Sequence, residues 1–133
     1  MTSRPTSSLP RTQRRARYQA PLHARGRALH AHLAKPLRKT YARRAVRLRK
    51  GDTVRIMRGK YTLEPAGTVL KHPEGKVSGV DLDKGKVFVE GLTRKTQKGK
   101  HKWVPIDPSN LLVIRLDLSD PVRRKRIEGG TKE

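Results

Sequence analysis

Cysteine is absent from the 133 residues, so the chain carries no disulfide framework and no thiolate metal site. Acid is absent from the first fifty residues; the first carboxylate is Asp52. Aromatic residues make up 4% and hydrophobic residues 33%, below the share usual for a globular chain. No apolar run approaches the length of a bilayer-spanning helix. The N-terminus lacks the apolar stretch of a secretory signal, so a soluble intracellular protein is the expectation. HExxH, GxSxG and P-loop patterns are missing, and the few acids are dispersed, which leaves no carboxylate pair for acid–base chemistry. Enzymatic function is the least supported class, and no cofactor or small-molecule substrate is expected. His23, His30 and His32 stand among cations with no nearby carboxylate, a poor electrostatic setting for a metal. Asp81 and Asp83 lack the remaining spacing of an EF-hand and read as a hairpin turn.

What the chain has is positive charge. Lys and Arg number 33 against 11 Asp and Glu, a net charge of +22. Fifteen of those cations lie in residues 1–50, and twelve of the fifteen are Arg. Such a segment repels itself and has little apolar surface to bury, so it orders against a polyanion. Arg binds phosphate in a bidentate fork and stacks on bases, which makes nucleic acid the leading partner. A cationic membrane anchor would need a sustained helix with bulky apolar residues on one face. Ala, Pro and Gly dominate here instead.

Residues 1–20 read as an extended tail. Pro21 suits the first turn of a helix, and Leu22, Leu29 and Leu33 recur at helical spacing through about Ala34. Pro36 ends or breaks that helix, and residues 37–41 make one more turn. From Asp52 the period changes to two. Val54 and Ile56 define a first strand, and residues 66–71 a second containing Gly67. Residues 76–82 form a third. Residues 86–90 form a fourth, with Val87 and Val89 on one face and Phe88 on the other. Residues 103–106 and 111–116 complete the set. Short strands divided by Gly and Pro turns predict a small closed β-barrel. Residues 93–102, TRKTQKGKHK, read as a basic loop between two strands. Asp120 is placed to cap a short basic helix over residues 122–128, with Pro121 at its first position and Gly129 and Gly130 stopping it.

The most specific stretch is residues 51–69, GDTVRIMRGKYTLEPAGTV. A Gly-Asp turn enters a strand that ends in Arg58-Gly59, and Gly67 sits in the next strand. This resembles the KOW motif, in which glycines allow tight turns or close backbone approach to RNA. The flanks add ARYQAPLHARGRAL, LAKPLRKTYARRAVRLRKGDTVRIMRGKY, VFVEGLTRK and VPIDPSNLLVIRLDL. Together they are similar to the universal L-twenty-four group of large-subunit ribosomal proteins, called L-twenty-six in eukaryotes. The APLHARGR block and basic front resemble the archaeal and eukaryotic branch, the archaeal above all. The likeness covers roughly residues 11–118, with the motifs in family order. Thr62 and Leu63 depart from it, standing where the family has Lys-Gly.

The resemblance implies a mainly β fold: a small SH3-like (KOW) β-barrel with a basic N-terminal extension containing a short helix, and a short basic C-terminal helix. The expected divisions are residues 1–45, 46–118 and 119–133. The implied role is a structural one on the large ribosomal subunit. The protein would bind the 5′ domain of large-subunit rRNA early in assembly and lie near the peptide tunnel exit. Its implied partners are that rRNA and neighbouring ribosomal proteins in the cytoplasm, with no membrane and no homo-oligomer.

Arg11, Arg14, Arg15, Arg17, Arg25 and Arg27 are expected on phosphates, with Tyr18 stacking on a base or ribose. Arg38, Lys39, Arg43, Arg44, Arg47 and Arg49 lead into the barrel. Arg55, Arg58 and Lys60 form one basic edge beside Gly59, and Arg94, Lys95, Lys98, Lys100 and Lys102 a second contact region. Arg55 equally suits the solvent face of a strand. Tyr41 either packs on the barrel or stacks on a base, and Trp103 reads as core or as cover for the barrel mouth. A KOW-type transcription or RNA regulatory module is the alternative, and a non-specific nucleic-acid-packaging protein a third. Deletion of residues 1–45 is expected to leave a folded barrel while cutting RNA affinity by orders of magnitude, measured by filter binding.

Overall fold

Period-two alternation becomes strand at Val54 and Ile56, at Val87 and Val89, and at Leu111 and Val113, whereas buried Val104 and Ile106 lie outside the strands. The computed structural model describes residues 6–62 and 73–129. Four helices form: α1 (Pro10–Gln19), α2 (Leu22–Arg25), α3 (Lys35–Tyr41) and α4 (Pro121–Glu128). The strands are β1 (His30–Leu33), β2 (Ala45–Arg47), β3 (Thr53–Ile56), β4 (Glu74–Asp81), β5 (Lys86–Val89), β6 (Thr93–Lys95), β7 (His101–Trp103) and β8 (Leu111–Arg115). Six of them make one mixed sheet in the order β2-β1-β8-β3-β4-β5. The β1–β8 pair is parallel and the other pairs are antiparallel. Among the described residues this sheet does not close on itself; they form a small β-domain with helices. The strand expected over residues 66–71 lies outside the described residues. No helix among the described residues is long and apolar enough to cross a membrane.

Alternation places Val54 and Ile56, Val87 and Val89, and Leu111 and Val113 inside, all within a few per cent of complete burial. Each such side chain contributes about 1.5–3 kcal/mol on leaving water. Val104 and Ile106 also enter the core. Ile106 bridges Val87 through two backbone hydrogen bonds of 2.9 Å, which fastens the chain after β7 to β5.

Four local expectations are corrected. Residues 30–33 are a strand, not the continuation of a helix. Leu29, Ala31 and Leu33 are fully buried while His30 and His32 face out, and β1 pairs with β2 on one side and β8 on the other. Residues four apart share a face in a helix and in a strand, so Leu29 and Leu33 alone do not separate the two. Helix α1 replaces the extended tail over residues 10–19. Its Arg, Ala and Gln are strong helix formers, and Pro10 occupies the first turn. Pro36 starts α3 instead of ending a helix, again from a first-turn position. Residues 93–103 are not an open loop but a hairpin, β6 against β7, turned by Gly99 at φ +76°. The last expected helix forms as read. Asp120 Oδ1 accepts a 2.9 Å bond from the Val122 amide, and Pro121 follows at the first turn.

The sheet and α4 are joined at Asp52, which has no exposed surface. Its Oδ1 accepts from the Asp117 amide at 2.9 Å and from Arg123 Nη1 at 2.7 Å. Its Oδ2 accepts from the Arg49 amide at 2.8 Å and from Arg123 Nη2 at 2.7 Å. The fork-to-fork pair pins α4, and Ile127 of α4 enters the core. Because β1 lies between β2 and β8, deletion of residues 1–45 would take one inner strand and the buried Leu29, Ala31 and Leu33 out of this sheet. A deletion ending at residue 20 spares every buried residue of the described chain.

Asp52→Ala leaves the Arg123 charge uncompensated in the interior. Urea denaturation is expected to show a loss of about 3–5 kcal/mol. Ala42 ends α3 in the left-handed region at φ 49°, ψ 32°. Ala42→Gly relieves that strain and is expected to raise stability by about 0.5–1 kcal/mol in the same assay.

Candidate nucleic-acid interface

Helix α1 buries no residue and presents its cations to solvent. At 3.6 residues per turn, positions 11, 14, 15 and 18 fall on one face. Arg11, Arg14 and Arg15 therefore align with Tyr18, whose ring is 70% exposed. Arg15 Nε donates to Gln19 Oε1 at 3.2 Å, one turn on. Arg17 leans the other way, towards Gly85 in the β4–β5 turn. Arg25 holds this arm in place. Its Nη1 meets Asp83 Oδ1 at 2.5 Å, Nε donates to the Ala20 carbonyl at 2.7 Å and Nη2 to the Tyr18 carbonyl at 3.1 Å. Arg25 thus positions α1 rather than offering its charge outward, while Arg27 is exposed.

The middle group divides in the same way. Arg38 Nε donates to the Leu33 carbonyl at 2.6 Å, fastening α3 to the end of β1, and Lys39 is exposed. Arg43 Nη2 donates to the Arg126 carbonyl at 2.5 Å. Arg44 and Arg47 are exposed. Arg49 pairs with Asp120 at 2.5 Å. Arg55 faces Glu74 across the β3–β4 register and forms an ion pair with it, so its charge is answered within the sheet. Arg58, Gly59 and Lys60 follow β3 at the surface. Gly59 holds φ +110°, a conformation that costs other residues a penalty.

The hairpin is the most uniform surface. Arg94, Lys95, Lys98, Lys100 and Lys102 are all exposed, and none forms an ion pair among the described residues. Trp103 is 52% exposed on β7, so the reading of it as core is corrected. The signal was its neighbour: Val104 is buried, and strand alternation turns residue 103 outward. Trp103 lies opposite Thr93 in the hairpin, next to the Arg94–Lys102 pair in the register. Tyr41, by contrast, is half-buried and packs on the core. The sequence reading noticed the basic helix over residues 122–128 but placed none of its cations in the site. Arg124, Lys125 and Arg126 are exposed on α4 beside Arg43.

Two acids are held ionised by this arrangement. The Asp120 carboxyl lies below its ordinary 3.8 because Arg49 donates to it, aided by the Val122 amide. Asp117 is lowered first by the Ser119 amide.

Among the described residues, a mixed β-sheet flanked by cationic surfaces, with acids used to anchor selected arginines, defines a small basic β-domain fitted to a polyanion. The chain belongs to the ribosomal protein family described as L26 in eukaryotes and L24 in archaea, whose sequence model matches residues 7–129. It is 40% identical over 126 residues to the large ribosomal subunit protein uL24 of Methanocorpusculum labreanum, covering 95% of this chain and 97% of that one. It is 41% identical over 128 residues to the uL24 protein of Pyrobaculum islandicum, covering 96% and 97%. The uL24 protein of Methanospirillum hungatei is 42% identical over 123 residues, covering 92% and 95%.

Asp120→Asn removes a depressed carboxyl. The wild type is expected to be the more stable protein above about pH 4, the unfolded-state value. That advantage disappears as pH falls through the lower folded value, and thermal melts across pH 2–7 would show the two curves converging.

Proposed function

We propose that the chain is a structural protein of the large ribosomal subunit that binds the 5′ domain of large-subunit rRNA, supports early assembly and lies near the peptide tunnel exit. It does so in the cytoplasm, with rRNA and neighbouring ribosomal proteins as partners. The observation that carries this reading is the pair of unanswered cationic surfaces, the α1 face and the β6–β7 hairpin. Each has exposed cations beside an exposed aromatic ring. Phosphates neutralise the cations, and Tyr18 and Trp103 offer faces to unstacked bases or riboses. The relatives at 40–42% identity are large-subunit proteins, which makes rRNA the polyanion of choice. We read the sheet as the SH3-like fold of the family, on the strength of the KOW-like turn at Gly59.

The mechanism is passive. Cations displace condensed counterions from the phosphate backbone, so affinity falls steeply with salt. Helix α1 acts as a clamp that the folded sheet positions through Arg25. In a sucrose gradient the protein is expected to sediment with large subunits; migration with polymerase or free RNA alone would sink this reading. Replacing Lys98 and Lys100 by Ala is expected to lower the slope of log affinity against log salt by about 0.7–0.9 for each phosphate no longer neutralised. The melting temperature should not change, because both side chains are exposed.

A further inference from the structure

Between the sheet-edge strand β2 and helix α4 lies a cleft of about 500 Å³. Six arginines line it: Arg27, Arg43, Arg47, Arg49, Arg123 and Arg126. Among the described residues Asp120 is the single carboxylate in its lining, and Arg49 already pairs with it. Arg123 is neutralised by Asp52. The guanidinium groups of Arg27, Arg47 and Arg126 have no hydrogen-bond or ionic partner among the described residues. Arg43 has no carboxylate partner among the described residues: its Nη2 donates to the Arg126 carbonyl, and its Nε is buried without a hydrogen bond. A concave surface whose unpaired charges are all positive concentrates an anion.

Gly26 shows that the site is built. Its backbone is ordinary helix, φ −55° and ψ −20°, which any residue adopts. A β-carbon there would stand 2.5 Å from Arg47 Cζ, 2.6 Å from Nη1 and 2.7 Å from Nη2. Those near-equal distances mean that the guanidinium lies face-on over the glycine. The missing side chain is the seat of Arg47. The cleft also carries apolar wall. Val80 and Val122 line it and are 36% and 64% exposed. A bare inorganic anion has no use for that wall, and a duplex backbone offers phosphates with its bases stacked away.

We propose that this cleft takes one unpaired nucleotide of RNA, with its phosphate on Arg27, Arg47 and Arg126 and its base against Val80 and Val122. The proposal rests on the RNA-binding reading above and deepens it. It separates a nucleotide seat from the general phosphate contacts of α1 and the hairpin.

The test uses the full chain and two fluorescein-labelled probes of equal length, a single-stranded uridine oligomer and a blunt RNA duplex. Gly26→Val unseats Arg47 without backbone strain, and Arg126→Ala removes an exposed cation. Each is expected to weaken the oligomer about tenfold, the loss of one charged hydrogen-bonding group, and to change duplex affinity by less than about twofold. A zero-length crosslink from 4-thiouridine oligomer to the wild type is expected in residues 43–49 or 121–127, which needs no variant to fold. Equal losses on both probes would make the cleft an ordinary phosphate surface and overturn the proposal. So would crosslinks confined to the hairpin, or displacement of the oligomer by a polyglutamate peptide that seats in the cleft. If the wild type bound neither probe, the RNA-binding function itself would fall. If it bound both and neither variant weakened the oligomer, only the nucleotide seat would fall.

Discussion

The bidentate pair of Asp52 and Arg123 is the constraint on which the rest of the molecule hangs. A carboxylate withdrawn from water is costly unless every lone pair is answered. Asp52 meets that condition with four donors from three parts of the chain: the turn before β3, the segment after β8, and α4. The partners are separated by 71 residues in sequence. Their union brings the last helix against the sheet edge, and with it the wall of the arginine cleft.

Scarcity of acid gives the other carboxylates a similar function. Among the described residues, Asp83 anchors Arg25, Asp120 anchors Arg49, Glu74 anchors Arg55 and Asp107 anchors Lys86. These pairs are partly exposed and contribute little stability each. Their effect is geometric: each takes one cation out of the pool and uses it to fix a segment. The cations left over form the α1 face, the hairpin and the cleft. In a chain of net charge +22, carboxylates choose which arginines face outward.

Much of this was legible. The alternation at Val54 and Ile56, at Val87 and Val89, and at Leu111 and Val113 marks strands: Thr53 and Arg55 turn outward beside Val54, while Phe88 and Leu112 take the less buried face of their strands. The Asp120-Pro121 start of α4 was equally plain, since capping chemistry is local. Family likeness was carried by contiguous blocks, and the matched residues 7–129 bear it out. Leu29 and Leu33 misled because Ala31, the small residue between them, is a weak marker of a buried position. Helix α1 was missed because self-repulsion was weighed and helix propensity was not. The Asp52–Arg123 pair and the seat of Arg47 over Gly26 depend on contacts between distant segments. No window of sequence contains either.

Sheet order and synthesis order are opposed in this chain. Strand β8, residues 111–115, lies between β1 and β3, so a late-made strand is what joins the two earlier groups. Until it is available, β1 with β2 and β3 with β4 and β5 are two fragments, each with an exposed edge. Neither alone holds the full core, because Val113 and Leu111 bridge them. The pairings that complete the sheet are therefore long-range in sequence, the kind whose loop-closure entropy slows folding. The cationic arm at residues 10–19 buries nothing, so its part in that order is the tie through Arg25 to Asp83 in the β4–β5 turn.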